Sequence, residues 1–555
     1  MAKLTIEQTL LKARSLVRKG EISAARQLYE TLLTRFPKNM RARRELAALV
    51  DRNRSASRAS LIPHLKRMAR QLNRDEVKAV EEDAASLLEK HLESAELWNI
   101  YGAASARVGN LEQAEHAFRE SINLQPNQED ALGNLASIYA EKNELDAAID
   151  YYQRAISATP GSPNLLVRMG VVLKKRGDFD AAQRCFEQVL SRNPNNTSAL
   201  LFLGTLLKLR QNYVEAVSCF SRLMPVATDK LYVLKNITDV PVGYLSPNLV
   251  RELQESLDRV VVADDDRGDW MFVQAHLDRH KRDVHKAFDG YCTANEEKLK
   301  TIKDDLARQR NKRDIQLKLL RQWTPTPLTK RAEVQVLIIL GPSRSGKTTL
   351  ETMLQGSPLV ASAYEVWRRA GRLTEMANMH ISTWQGVEKA GALLSRQDLR
   401  EALKLDEVFY KNEDMLIAEG TPILTATSPG FINHISNLVD LLPGVCFCYL
   451  KRDPVEVAAQ IFATNYGQRN TYSYDPDTLL NYLDWYEEMW ATISGKVRGI
   501  TLKFEDVLTD PQQAIGQIEA LLGRELKVQD VSIGGFRGAS SLSELFAQRF
   551  APQPV

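Results

Sequence analysis

Residues 334–353 carry glycine, lysine and hydroxyl side chains at a spacing that suits phosphate binding. The β-branched, apolar run at 334–340 is expected to form a strand, and a helix-forming segment follows it. A strand, a glycine loop and a helix N-terminus together direct backbone N–H groups and the positive end of the helix dipole toward one point. The loop between the two elements satisfies the pattern GxxxxGK[ST] with Gly341, Gly346, Lys347 and Thr348. We therefore expect a phosphate group to bind there.

The same pattern occurs in enzymes that use nucleoside triphosphates, so a P-loop kinase or nucleotidase is one interpretation. Such enzymes also need a strand that ends in an Asp for magnesium. The best apolar run downstream, GVCFCYLKRDP at 444–454, ends in Arg452, Asp453 and Pro454, so a basic residue comes first. The triphosphate interpretation is weakened by this order but stays open.

The composition indicates an ordinary protein of several domains. A chain of 555 residues is too long for one core, and 44% apolar with 26% charged residues supplies ample material for packed cores. The net charge of +3 is too small to indicate nucleic acid or a membrane surface. No run approaches the roughly 18 apolar residues of a spanning helix. The charged N-terminus lacks the apolar core of a signal peptide, so we expect a cytoplasmic location.

The five cysteines are few and scattered. Only Cys446 and Cys448 are close together, and we expect a strand to place them on opposite faces. Neither a disulfide framework nor a metal cluster is expected, and a reducing compartment fits this cysteine usage.

A 34-residue period runs through the first two-fifths of the chain, and Pro126, Pro160 and Pro194 keep it. Two further sets of positions follow the same period, the small residues Gly102, Ala136, Gly170 and Gly204 and the aromatic residues Phe118, Tyr152, Phe186 and Phe220. These features resemble the tetratricopeptide repeat, a helix–turn–helix unit whose copies stack into a solenoid with a concave surface. The resemblance implies a peptide or protein partner, although repeats can also serve only to stiffen a neighbouring domain.

The rest of the chain divides where the composition changes. Residues 231–330 lack the period but are charged and helical in character. We predict a repeat solenoid at 1–230, a helical connecting segment at 231–330, a P-loop domain at 331–530 and a C-terminal tail at 531–555. The predicted fold is an α-solenoid of tetratricopeptide-like helix pairs followed by a three-layer α/β domain with a parallel sheet.

Several blocks between 332 and 525 together resemble the sulfotransferases that use 3′-phosphoadenosine 5′-phosphosulfate. The resemblance is closest to the bacterial type fused to tetratricopeptide repeats and to the tyrosylprotein sulfotransferases. The family's phosphosulfate loop is similar to GPSRSGKTTLETML, and its next segment is similar to GSPLVASAYE, which ends at Glu365. Its 3′-phosphate site begins with a strand that ends in RDP, as at Arg452. YSYDPDTLLNYLDWYEEMW and LKFEDVLTDPQQAIGQIEALLG resemble two later blocks, and the order of the blocks is more specific than any one of them.

The resemblance implies transfer of a sulfonate to a hydroxyl of a peptide or glycan, with no metal. Arg452 would hold the 3′-phosphate, and Gln460 could donate to the same group. Glu365 would take the proton of the acceptor hydroxyl, although a solvated loop carboxylate is the other interpretation of this residue. Arg344, Lys347 and backbone donors would stabilise the charge that builds on the leaving phosphate. The implied loop contacts to the 5′-phosphosulfate come from Arg344, Ser345, Gly346, Lys347, Thr348 and Thr349.

Three positions depart from the family's pattern. Lys347 stands where the family has Thr, Thr427 stands where it commonly has the Lys that steadies the transferring group, and Gln460 stands where a Ser is expected. Lys347 is a candidate to replace the charge missing at 427. The departures also leave open a degenerate domain without transfer chemistry, in which the chain acts as a non-catalytic repeat scaffold.

Other polar residues have weaker claims to a functional role. Arg368 and Arg369 could orient an acidic acceptor or simply lie on an exposed helix face, and Arg537 could be a remnant of a cofactor contact. His380 and His434 could act as bases, but plain packing is the simpler explanation for lone histidines near apolar residues.

Overall fold

The structure is a computed structural model, and it describes most of the chain. The described residues are 5–37, 39–300, 303–325, 335–362, 423–441, 444–466, 470–528 and 541–550. The chain forms two compact units, Met1–Val172 and Leu173–Val555. The four predicted segments stay a prediction.

The described part of the first unit consists of helices. They are α1 (Ile6–Lys19), α2 (Ile22–Arg35), α3 (Met40–Asn73), α4 (Val77–Leu88), α5 (Ala95–Val108), α6 (Leu111–Leu124), α7 (Glu129–Glu141) and α8 (Leu145–Ala158), with α9 (Pro163–Arg176) at the division between the units. Gly20 and Gly109 end α1 and α5 with φ angles of 82° and 98°. This left-handed conformation closes a helix at little cost when the residue is glycine.

Within the repeats, the small and the aromatic positions pack as the sequence predicts. A Cβ atom on Gly102 would lie 2.7 Å from the ring of Phe118, and a Cβ atom on Gly204 would lie 2.9 Å from the ring of Phe220. Both rings are almost fully buried. The missing side chain therefore makes room for the aromatic ring of the partner helix, which is the packing of a tetratricopeptide-like solenoid.

Helices continue through the first part of the second unit. They are α10 (Phe179–Arg192), α11 (Thr197–Leu209), α12 (Tyr213–Leu223), α13 (Lys230–Thr238), α14 (Pro247–Asp258), α15 (Arg267–His280), α16 (Val284–Leu299) and α17 (Lys303–Gln322). Helix α15 packs on α16, and α17 packs on a helix of the domain that follows.

That domain contains a sheet of five parallel strands in the order β2-β3-β1-β4-β5. The strands are β1 (Gln335–Leu340), β2 (Val360–Ser362), β3 (Ile423–Thr427), β4 (Cys446–Lys451) and β5 (Gly499–Lys503). The described helices around it are α18 (Lys347–Leu354), α19 (Ile435–Leu441), α20 (Pro454–Phe462), α21 (Pro476–Ile493), α22 (Phe504–Thr509), α23 (Pro511–Leu522) and α24 (Ser541–Phe550).

Helices cover both faces of this sheet. Val336 and Ile338 of β1 join a core cluster with α20, α21 and α24, whereas Leu337 and Ile339 join another with α18 and α23. Successive side chains of a strand point to opposite faces, so a strand buried on both sides is apolar throughout. The predicted three-layer α/β fold with a parallel sheet is confirmed.

The expectation for the two neighbouring cysteines was wrong. Cys446 and Cys448 both lie in the core cluster that contains α18 and α23. The strand period is two residues, so side chains two positions apart share a face. Both are free thiols, and burial raises the pKa of each.

The sheet order defines where a ligand should lie. From β1 the chain continues to β2 on one side of the sheet, whereas from β4 it continues to β5 on the other side. Adjacent strands whose connections leave in opposite directions open a crevice at their carboxyl ends, and ligands of open α/β sheets bind in such crevices. The loop after β1 and the residues after β4 meet at this point.

Candidate functional site

The loop between β1 and α18 requires glycine at both ends. Gly341 has a φ of 153° and Gly346 a φ of 95°, both outside the range that other residues adopt easily. A Cβ atom on Gly341 would lie 2.4 Å from Ser345 Oγ, and a Cβ atom on Gly346 would lie 2.2 Å from the ring of Phe504. The two glycines therefore permit both the turn and its close packing.

The loop ends at the N-terminus of α18. The first N–H groups of a helix have no partner within it, and they attract anions. Ser345 is fully buried, and its Oγ has no hydrogen-bond partner within the described part of the chain. Lys347 is 6% exposed and donates from Nζ to the Pro342 carbonyl at 2.7 Å. Helical N–H groups beside an unsatisfied hydroxyl fit a phosphate, and the half-buried Thr348 and Thr349 lie on the same turn.

Arg344 lies in this loop with a strained backbone, at a φ of 66°. Its Nη2 donates to Thr464 Oγ1 at 3.1 Å, and its side chain also hydrogen-bonds with Tyr466. Desolvation lowers the pKa of Arg344, but interactions with Tyr466 and Asp239 outweigh it, so the pKa is raised overall. The residue nevertheless stays exposed to solvent. Arg344 is therefore a permanent cation that an incoming anion can reach.

Arg452 approaches the same loop from the neighbouring strand. Its side chain is 7% exposed, with Nη1 donating to the Arg344 carbonyl at 2.7 Å and Nη2 lying 3.3 Å from Glu456 Oε1. Its guanidinium carbon lies 5.0 Å from the centre of the Phe504 ring, a cation–π distance. Burial lowers the pKa of Arg452, and Glu456 opposes this shift. Arg452 thus braces the strained backbone of Arg344, a contact that the sequence did not predict.

A buried carboxylate lies beside the first turns of α18. Glu351 is 1% exposed and accepts hydrogen bonds from Thr425 Oγ1 at 3.0 Å and Thr427 Oγ1 at 3.1 Å. Lys347 precedes Glu351 by four residues on the same helix, which places the two on one helical face. Thr427, at the position where the resemblance implies a lysine, therefore binds the Glu351 carboxylate, which follows Lys347 by one helical turn.

Buried tyrosines contact the loop, and the sequence analysis assigned them no role. The Gly341 N–H donates to the Tyr486 hydroxyl at 3.0 Å. Tyr472 hydrogen-bonds with Ser343 and stacks on Tyr482 with ring centres 4.0 Å apart. Burial raises the pKa of all three tyrosines, so they are neutral near pH 7. The four-residue spacing of Tyr482 and Tyr486 was the available signal, because it places both rings on one face of a helix.

Most of the predicted site residues come together at the carboxyl edge of the sheet. Gln460 lies on α20, where its Nε2 donates to Glu456 Oε1 at 3.2 Å. The residues at this edge are Arg344, Ser345, Gly346, Lys347, Thr348, Thr349, Arg452 and Gln460. The candidates outside the described residues are Glu365, Arg368, Arg369, His380 and Arg537, together with the side chain of His434. The assignment of Glu365 as the base stays a prediction.

Two protein-family models match parts of the chain. The profile of the sulfotransferase family matches residues 337–528. A tetratricopeptide-repeat profile matches 10–60, 102–163 and 167–224. The chain thus joins tetratricopeptide repeats to a sulfotransferase-family domain, which confirms its resemblance to the tetratricopeptide-repeat sulfotransferases.

Comparison with curated proteins gave no significant match. Among solved structures, the chain is similar to YrrB, "a TPR protein with an unusual peptide-binding site", at 19% identity over 37% of this chain and 96% of that one, with a TM-score of 0.28. It is also similar to pilF of Pseudomonas aeruginosa at 15% identity over 36% and 90%, with a TM-score of 0.31. A tetratricopeptide repeat protein from Parabacteroides merdae matches at 16% identity over 52% and 92%, with a TM-score of 0.27. TM-scores this low support no inference about function.

Two absences apply to the described part of the chain. None of its helices has the length and apolar character needed to cross a bilayer. It also contains no group of three or more His, Cys, Asp and Glu side chains arranged to hold a metal ion.

Proposed function

We propose that the chain transfers a sulfonate from 3′-phosphoadenosine 5′-phosphosulfate to a hydroxyl of a peptide or glycan. The observation that carries the proposal is the meeting of the 341–346 loop and Arg452 at the switch point of the sheet, in a sulfotransferase-family domain. A nucleotide with phosphates at both ends of its ribose suits a crevice with cations from two adjacent strands.

The loop would bind the 5′ end of the donor. When bound, the donor supplies a sulfonate whose departure leaves negative charge on the 5′-phosphate. Arg344, Lys347 and the N–H groups at the start of α18 would stabilise that charge, because cations and hydrogen-bond donors directed at the place where negative charge develops favour the transition state. The hydroxyls of Ser345, Thr348 and Thr349 would complete the contacts.

Lys347 would supply the cation that Thr427 does not. Both residues lie beside Glu351. Thr427 donates a hydrogen bond to its carboxylate, and Lys347 precedes it by one turn of α18. A cation on the helix would thus stand close to where the family carries one on the strand. The Nζ contact to the Pro342 carbonyl would be exchanged for a contact to the donor.

Arg452 and Gln460 would bind the 3′-phosphate. The contacts of Arg452 to the Arg344 carbonyl and to Glu456 already orient its guanidinium. Gln460 and Arg452 both donate to Glu456 Oε1, so this carboxylate brings the two side chains together. Selectivity for a 3′-phosphate would distinguish this site from that of an ordinary nucleotide enzyme.

Glu365 would accept the proton of the acceptor hydroxyl. Replacing it with Gln keeps the size but removes the base, so turnover of Glu365→Gln should fall by roughly 10²–10⁴-fold. Affinity for adenosine 3′,5′-bisphosphate should stay within about twofold of the unchanged chain, since the donor contacts lie elsewhere. Near-normal turnover would reject the role.

Ligand-dependent thermal unfolding tests the proposal as a whole. Adenosine 3′,5′-bisphosphate without magnesium should stabilise the protein, by about 2.7 kcal/mol at a hundred times the dissociation constant. Stabilisation only by ATP with magnesium would instead support the P-loop kinase or nucleotidase. An unfolding temperature that neither ligand changes would support the non-catalytic scaffold.

The repeats would supply a partner site for a peptide or protein, since a stacked solenoid presents an extended concave surface.

We also propose a cytoplasmic location for the protein. All five cysteines are buried and unpaired, which suits a reducing compartment. No nucleic-acid partner is proposed, because the net charge is only +3.

A further inference from the structure

We infer that the connecting helices α13, α15 and α16 position Arg344 by holding the turn at 462–466, so that these helices are part of the donor site. This inference rests on the proposed function. It makes Asn295, His276 and Asp269 positioning residues, because each acts on Arg344 through the turn and none touches the proposed donor contacts.

The turn begins where α20 ends, and side chains of the connecting helices satisfy its carbonyls. The last carbonyls of a helix have no partner within it. Asn295 Nδ2 donates to the Phe462 carbonyl at 3.0 Å, and His276 Nε2 lies 3.1 Å from the Ala463 carbonyl. A carbonyl only accepts, so the imidazole proton is on Nε2. Burial lowers the pKa of His276 to about 4, which keeps the imidazole neutral near pH 7.

A third contact holds the middle of the turn. Asn465 Nδ2 donates to Asp269 Oδ1 at 2.8 Å, and Asn465 Oδ1 accepts from the Tyr474 hydroxyl at 3.0 Å. Asp269 forms ion pairs with Lys235 and Lys298. Burial raises the pKa of Asp269, but these partners outweigh it and lower the pKa overall. The carboxylate is therefore ionised and fixed, and it orients the Asn465 amide.

The turn then presents its own side chains to Arg344. Thr464 Oγ1 donates its one proton to the Gln460 carbonyl at 2.8 Å, which leaves its lone pairs to accept from Arg344 Nη2 at 3.1 Å. Tyr466 supplies another hydrogen bond to the same side chain. Asp239, directly after α13, is the acid whose charge acts on the guanidinium. Two hydrogen bonds from the turn and the charge of Asp239 thus orient the exposed Arg344 side chain.

A double-mutant cycle on bisphosphate binding tests this route. Asn465→Ala removes the contacts to Asp269 and Tyr474 without altering Arg344, and it should weaken adenosine 3′,5′-bisphosphate binding about tenfold. In an Arg344→Ala background the same substitution should cost less than twofold, because the residue it positions is gone. Equal losses in both backgrounds would overturn the inference.

A conservative pair at the contact residue protects the test against misfolding. Thr464→Ser keeps the hydroxyl and should bind like the unchanged chain, whereas Thr464→Val keeps the shape and should bind several-fold more weakly. Asn196→Ala is the control, because it removes the N-cap side chain of α11, which accepts from the Ala199 N–H, and it should lower the Tm without changing affinity. Identical binding by the Ser and Val variants would contradict the inference.

A ligand-free readout separates this inference from the proposed function. Phenylglyoxal labels accessible arginines, and peptide mass mapping gives the rate at Arg344 alone. Asn465→Ala should raise that rate several-fold relative to Arg259 on the surface. If the unchanged chain binds no bisphosphate, the proposed function fails, and the labelling rate still decides the inference. An unchanged rate would refute it.

Discussion

The repeats and the candidate site are built from contacts of different sequence range. In a repeat, Gly102 packs on Phe118 only 16 positions later, within one helix pair. At the site, Arg344 reaches a residue 120 positions away, and the Gly341 N–H reaches one 145 positions away. Local contacts recur with the sequence period, so they are visible in the sequence. Contacts of the second kind depend on the order of the strands, which no local pattern contains.

The sharpest test of this comparison is a matched pair of glycines. Gly346 and Gly109 have φ angles of 95° and 98°, but only Gly346 has a ring at 2.2 Å from its virtual Cβ, whereas Gly109 has open space around it. Gly109→Ala should cost about 1 kcal/mol for the left-handed conformation alone. Gly346→Ala should cost about 2–4 kcal/mol, because overpacking against Phe504 is added. Calorimetry on the full chain measures both, and equal costs would mean that long-range packing adds nothing at the loop.

A second prediction separates the two tasks that the site assigns to Arg452. If Arg452 binds the 3′-phosphate, Arg452→Ala should reduce the preference for adenosine 3′,5′-bisphosphate over adenosine 5′-phosphate by about tenfold, or 1.4 kcal/mol. If Arg452 only braces the Arg344 carbonyl, the affinity for both nucleotides should fall by the same factor and the preference should persist. Titration calorimetry with the two nucleotides gives the ratio directly.

The third prediction concerns the acid that holds the 462–466 turn. Because the pKa of Asp269 is lowered in the folded chain, its contribution is complete above the ordinary value of 3.8 and is lost as the pH falls through the lowered value. Asp269→Asn should therefore cost roughly 1.5 kcal/mol at pH 7, and the difference should shrink below about pH 4. Glu297→Gln is the control, since the Glu297–Lys300 pair lies near the surface and contributes little. Denaturant unfolding at several pH values measures the change, and a pH-independent difference would contradict it.

Much of the candidate site could be predicted from the sequence, because the parts of its loop are close together in the chain. The strand, the two glycines and the first turn of α18 lie within 20 residues, and the apolar run before Arg452 marks a second buried strand. Parallel strands end at one edge of a sheet, so two such segments place their following residues together. Three features of the site could not be predicted in this way: the bracing of Arg344 by Arg452, the tyrosines around the loop, and the turn at 462–466. Each depends on which strands are neighbours in the sheet.

The sequence by itself determined the repeat period, the fold class and the chemical type of the loop, because each follows from spacing over one or two neighbouring elements. Tertiary structure decided where Arg344 points. Its guanidinium donates to Thr464 and its side chain hydrogen-bonds with Tyr466, while side chains of the connecting helices bind the neighbouring Phe462 and Ala463 carbonyls. A flexible cationic side chain has many rotamers of similar energy, and only contacts from distant parts of the chain select one of them.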